Sequence, residues 1–132
     1  VVDSIPFNEL KTRTIDGIEG LYTIISQDAG SKEVLMVAYA NREALEKTLE
    51  TGKAHYYSTS RKKIWLKGES SGNTQTVDEV LVDCDGDAVI YKVSEAGPAC
   101  HMGFETCFYR RVENGVLRVC KPQVFDPKDV YK

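Results

Sequence analysis

The sequence predicts a predominantly β domain of the α+β class, with antiparallel sheets and one main helix. Three observations carry that expectation. Apolar and β-branched residues gather in short runs rather than in long amphipathic stripes. Turn residues separate those runs at short intervals, and such connections favour antiparallel neighbours. Helix start and stop signals coincide convincingly only once. With 132 residues, 42% hydrophobic and 28% charged, and no repeat or linker, the chain reads as a single domain over 1–132.

Leu21 to Ser26 and Glu33 to Ala40 read as a hairpin around Asp28-Ala29-Gly30-Ser31. Asn41 then N-caps a helix that Gly52 terminates. Ala44, Leu45, Thr48 and Leu49 form its apolar stripe, and Glu43 with Lys47 makes a favourable i,i+4 pair. Ala54 to Ser60 and Ile64 to Lys67 are strands around the basic turn Arg61-Lys62-Lys63, followed by a polar loop, Glu69 to Asn73. Thr76 to Asp83 and Ala88 to Val93 flank an acidic cluster. Thr106 to Val112 and Val116 to Val119 close the pattern as a hairpin around Glu113-Asn114-Gly115, where Asn-Gly is a strong turn signal.

The formal net charge of −3 gives no overall attraction for nucleic acid or an acidic membrane. No apolar run approaches a membrane span, so a cytoplasmic chain is expected. In a reducing compartment its four cysteines are better read as metal ligands than as disulfides.

Two clusters carry the chemistry. In Asp83-Cys84-Asp85-Gly86-Asp87, an extended backbone would put Asp83, Asp85 and Asp87 on one face and Cys84 on the other. Three carboxylates together repel unless a hard cation joins them, which suits Mg²⁺ or Ca²⁺. A solvated acidic turn is the plain alternative. An EF-hand loop is excluded, because its sixth and twelfth positions hold Ala88 and Ser94.

The second cluster is Cys100-His101 with Cys107. The x6 spacing is too long for a zinc-ribbon knuckle. Adding Cys84 gives three sulfur ligands, the count of a catalytic zinc site with one open position. His101 beside them suits proton transfer, since an unperturbed imidazole titrates near ~6.5. A closed Cys₃His structural site, within a non-catalytic metal-stabilised dimerisation module, and a Cys100–Cys107 disulfide remain open readings. Cys120 reads as a small core or edge residue, and His55 as a hydrogen-bonded structural one. Zinc-dependent nucleobase deaminases do not fit, because their His-x-Glu and Pro-Cys-x-x-Cys elements are missing.

The sequence resembles phosphoribosyl-AMP cyclohydrolase, a histidine-biosynthesis enzyme. The resemblance runs from about residue 20 to residue 112. It rests on Ser58-Thr59-Ser60-Arg61, on Trp65 to Gln75, on the Asp83 to Asp87 cluster and on Cys100-His101 with Cys107. It implies hydrolytic opening of the C6–N1 bond of an adenine whose N1 bears a phosphoribosyl group, by a zinc-activated water. It further implies zinc on Cys84, Cys100 and Cys107, magnesium on Asp83, Asp85 and Asp87, and His101 as general base and later proton donor. An intertwined homodimer sharing zinc ligands between chains is also implied.

Alone, the basic and polar segment from residue 55 to 75 reads as a solvated hairpin, and Trp65 as core. The resemblance makes it the substrate surface, with Ser60, Arg61, Trp65, Lys67, Glu69, Ser70, Ser71, Gly72, Asn73 and Gln75 as binding residues. Trp65 would stack on the purine, and the hydroxyls and backbone donors would meet phosphate.

Overall fold

The computed structural model describes residues 6–95 and 97–130. Strand β1 (Arg13–Ile15) follows a 3₁₀ turn at Phe7–Glu9 and pairs with the first part of the long β2 (Ile18–Asp28). The rest of β2 runs antiparallel to β3 (Val34–Ala40), as the hairpin reading requires, with Tyr22 opposite Ala40 and Ser26 opposite Met36. Asp28 shapes the turn by accepting from the Gly30 and Ser31 amides at 3.0 and 2.7 Å. These bonds, that to the Ser31 amide foremost, hold its carboxyl below the usual range.

Helix α1 (Arg42–Thr51) forms where its caps predict it. Asn41 Oδ1 accepts from the Ala44 amide at 2.9 Å, and Gly52 closes the helix in a left-handed conformation. Ala44, Leu45 and Thr48 are buried, and Leu49 packs at the edge of the core. The i,i+4 ion pair on the exposed face is Arg42–Glu46 at 3.9 Å rather than Glu43–Lys47.

Strands β4 (His55–Ser58) and β5 (Lys63–Leu66) make a separate two-stranded ladder. It is tied to the main sheet because the Ala54 amide donates to the Gln75 carbonyl at 2.9 Å. Strands β6 (Gln75–Val82) and β7 (Val89–Glu95) form an antiparallel hairpin. One expectation is overturned here: β7 pairs with β2 in parallel, Ile24 opposite Val89 and Asp28 opposite Val93, so the five-stranded sheet is mixed. Connection lengths constrain consecutive strands only. The path from β2 through β3, α1 and β4–β6 is long enough for a crossover.

The last hairpin is shorter than expected. Strands β8 (Arg110–Glu113) and β9 (Val116–Val119) pair around Asn114-Gly115, whereas residues 106–109 are not strand. Thr106 is instead buried, its hydroxyl donating to the Val34 carbonyl at 2.7 Å. A final short helix, α2, spans Pro127–Val130. The core gathers Tyr22, Ile24, Leu35, Leu45, Tyr56, Val89, Tyr91 and Val93 between sheet and helix. No helix among the described residues is long and apolar enough to cross a membrane.

Candidate active site

The β6–β7 hairpin carries chemistry at both ends. At its tip, residues 83–88 are not extended as expected; they form a tight turn. The Gly86 amide donates to the Asp83 carbonyl at 3.2 Å, and the Asp83 amide to the Ala88 carbonyl at 3.1 Å. Asp83 Oδ1 accepts from the Asp87 amide at 2.9 Å. The turn nevertheless brings Asp83, Asp85 and Asp87 together, with carboxylate oxygens within 4.8 Å of one another. Convergence therefore comes from chain reversal, not strand alternation. Gly86 permits it twice over. Its φ is +76°, and a Cβ there would collide with the Glu9 carbonyl.

Crowding shows in the titration of these carboxyls. Their shared hydrogen bond holds the Asp83 carboxyl below the usual range and pushes that of Asp87 above it. Arg13 Nη2 reaches Asp87 Oδ2 at 3.0 Å, a partner that nothing in the local sequence announces. An oxygen-rich, negatively charged and accessible group of this kind fits a hard divalent cation.

Toward the other end of the hairpin, Gln75 contacts Met36, which lines a cavity of about 480 Å³. Its wall includes Arg61, Trp65, Lys67, Glu69, Ser70 and Ser71, together with His101 and Cys107. Two neighbouring loops build it. The Cys107 amide donates to the Leu35 carbonyl at 2.6 Å, which docks that cysteine on β3. The Cys100 amide donates to the Phe104 carbonyl at 3.1 Å, and the Gly103 amide to the Cys100 carbonyl at 3.0 Å. This closed loop presents exposed His101 at its tip and brings Cys100 against Cys107.

All four cysteines are free, so the disulfide reading is set aside. Cys107 as a residue is exposed, yet the protein around its sulfur, with the adjacent Cys100 thiol, pushes its pKa up to about 12. Two neighbouring sulfurs disfavour two neighbouring negative charges, and a thiophilic cation removes that penalty. The donor set fits zinc.

Cys84 does not join them within one chain. Among the described residues the one converging group of three metal-ligating side chains is the aspartate set. Cys84 sits exposed beyond the Val82 end of β6, whereas Gln75, at the opposite end, contacts cavity-lining Met36. Seven strand steps separate Gln75 from Val82, about 23 Å at strand rise. Cys120 stands apart, half-buried, its amide donating to the Tyr109 carbonyl at 2.8 Å.

The other expected binding residues divide. Trp65 lines the cavity and packs its ring on Tyr56, centroids 5.2 Å apart. Ser60 is exposed near Ser58, and Gly72 is exposed; neither lines the cavity. Asn73 turns toward Gly97, where a Cβ would strike the Asn73 amide oxygen. Gln75 is fully buried, accepting from the Tyr56 hydroxyl at 2.7 Å and donating to Glu95 at 3.1 Å. His55 Nδ1 meets the Lys53 carbonyl at 2.8 Å, the structural role expected of it. Glu95 had no signal in the sequence. Burial raises its pKa to about 7, opposed by the Gln75 hydrogen bond and the Lys67 charge.

Residues 36–109, which hold most of the cavity wall and both clusters, match the family model described as phosphoribosyl-AMP cyclohydrolase. Curated relatives bearing that name include a protein of Methanothermobacter thermautotrophicus, 58% identical over 86% of this chain and 83% of its own length. A Methanococcoides burtonii protein is 56% identical over 93% of this chain and 98% of its own. One from Halobacterium salinarum is 55% identical over 89% and 88%. With similarity of that depth spanning the sulfur pair, the aspartate turn and the polar cavity wall, the chain belongs to the phosphoribosyl-AMP cyclohydrolase family.

Proposed function

We propose that this protein hydrolyses the C6–N1 bond of 1-(5-phosphoribosyl)-AMP, the cyclohydrolase step of histidine biosynthesis. The observation that carries the reading is the shared cavity wall. His101 and Cys107 face the same space as Arg61, Trp65, Ser70 and Ser71. Its volume lies within the range of small-molecule sites.

Within that space Trp65 offers an aromatic face to the purine, and Arg61 with the serine hydroxyls offers donors to phosphate. Substitution at N1 makes C6 electron-poor, so the step needs a nucleophile and a proton acceptor. His101 takes the proton from the attacking water and returns one to the departing N1. Zinc held by Cys84, Cys100 and Cys107 would supply a water acidified toward pKa ~7, and magnesium on Asp83, Asp85 and Asp87 would offset phosphate charge.

Because Cys84 lies far from its own chain's Cys100, the zinc ligands are drawn from two chains of a homodimer. An exposed apolar surface supports a partner: Val112, Val116, Leu117 and Val119 on the β8–β9 hairpin are all at least half exposed. A Cys84→Ser chain mixed with a Cys100→Ser chain then regenerates one intact site in each heterodimer. Ligands taken from a single chain would regenerate none, and mixing would restore nothing.

The activity itself is tested by adding phosphoribosyl-AMP to the zinc- and magnesium-loaded protein and following ultraviolet absorbance. Ring opening changes the chromophore. An unchanged spectrum rules against the reaction.

A further inference from the structure

Lys67 differs from the other cations of the 61–67 segment. Arg61, Lys62 and Lys63 are exposed, whereas Lys67 is buried, with 7% of its surface accessible. Its amide donates to the Ala54 carbonyl at 3.0 Å, which fixes the main chain at the end of β5. Its Nζ donates to the Ala99 carbonyl at 2.5 Å, immediately before Cys100. Ala99 in turn donates its amide to the Glu105 carbonyl at 3.1 Å, so the tie acts on the whole loop that carries Cys100 and His101. The negative or potentially negative groups that Lys67 faces are Cys107, Glu95 and Cys100.

We propose that Lys67 is a positioning residue for the sulfur pair rather than a ligand for substrate phosphate. Its ammonium anchors the 97–107 loop through the Ala99 carbonyl and presents positive charge toward Cys100 and Cys107. A phosphate would have to displace that carbonyl and reach a buried nitrogen, while exposed Arg61 already stands at the cavity wall. Placing a cation behind two sulfur ligands lowers the electrostatic cost of holding both as thiolates, which is how outer groups commonly support a metal site.

This inference rests on the zinc reading above, and its test separates the two. Lys67→Met and Lys67→Arg are prepared in the full chain and loaded with zinc, and zinc retention is measured against a competing chelator. Lys67→Met is expected to hold zinc about 10- to 100-fold less tightly. Cobalt-substituted Lys67→Met should show weakened sulfur-to-metal absorption, and Lys67→Arg, which keeps charge and donor, should recover most of the loss. KM for phosphoribosyl-AMP stays within about threefold of the parent while kcat falls, the signature of a lost catalytic arrangement rather than lost binding. Parental zinc retention overturns the proposal, as does a tenfold rise in KM with kcat intact. If Lys67→Met does not fold, Lys67→Gln replaces it, and parental zinc retention in that variant overturns the proposal equally. A parent that binds zinc but never turns over phosphoribosyl-AMP would sink the enzymatic reading, leaving the chelator measurement to decide Lys67 by itself.

Discussion

The two ends of the β6–β7 hairpin gather titratable groups under opposite conditions. At the tip, Asp83 and Asp85 are exposed and Asp87 half-buried, so water screens most of their repulsion. At the base, Glu95, Lys67, Cys100 and Cys107 lie among buried Tyr56, Gln75 and Ala99, where each charge is set by its immediate partner. The same strands thus carry an acidic turn that tolerates charge and, at their base, a buried network that admits charge only in compensated form. Substitutions at the base should be felt in chemistry and stability together, and those at the tip mainly in cation binding.

The largest expected effect separates two neighbours in the sulfur loop. Replacing His101 with alanine should lower kcat by about 10²–10⁴-fold while zinc content, read by metal analysis, is preserved. Cys100→Ser should lose zinc and turnover together. Zinc lost from His101→Ala as well would favour a closed Cys₃His structural site.

Next comes the buried network. Gln75→Leu leaves the Tyr56 hydroxyl without its 2.7 Å acceptor and Glu95 without its amide donor. The expected loss is about 1–3 kcal/mol for each group left unsatisfied, read as a lowered urea midpoint. A parental midpoint would mean that the base of the hairpin is wetter than its burial suggests.

Glu95 supplies a pH test of the same contrast. Its carboxyl is raised from 4.5 to about 7, so the folded protein keeps a proton that the unfolded chain releases. Its stabilising contribution is complete below about pH 4.5 and is lost as the pH climbs through about 7. In metal-free protein, thermal midpoints between pH 5 and 8 should therefore fall more steeply for the parent than for Glu95→Gln. Parallel curves would refute the assigned burial.

The smallest effect lies at the tip. Arg13→Ala removes the 3.0 Å pair with Asp87, whose partners are both partly exposed. The thermal midpoint should shift slightly at low salt and not at all at high salt. A large, salt-insensitive loss would erase the distinction between the two ends.

Local signals made much of this molecule legible. The Asn41 cap, the Gly52 stop and the Ala44, Leu45 and Thr48 stripe specify α1 because capping and periodicity act over a few residues. The convergence of Asp83, Asp85 and Asp87 was likewise readable, since they lie within five residues of one another. The strand alternation invoked for the aspartates was wrong, although the convergence was right, because a reversing turn also gathers near neighbours.

Long-range pairing was beyond such signals. The parallel register of β2 with β7, the Arg13–Asp87 pair and the Lys67–Ala99 tie join residues distant along the chain, and no local preference encodes which distant partner wins. Gln75 shows the same limit from the other side. The family resemblance implied a substrate contact, but β6 turns it into the core beside Tyr56 and Glu95. Residue chemistry, the α1 caps and the Asn114-Gly115 turn were thus determined by the sequence alone. Which groups face the cavity and which are buried was decided by tertiary packing, because desolvation depends on every element that closes over a side chain.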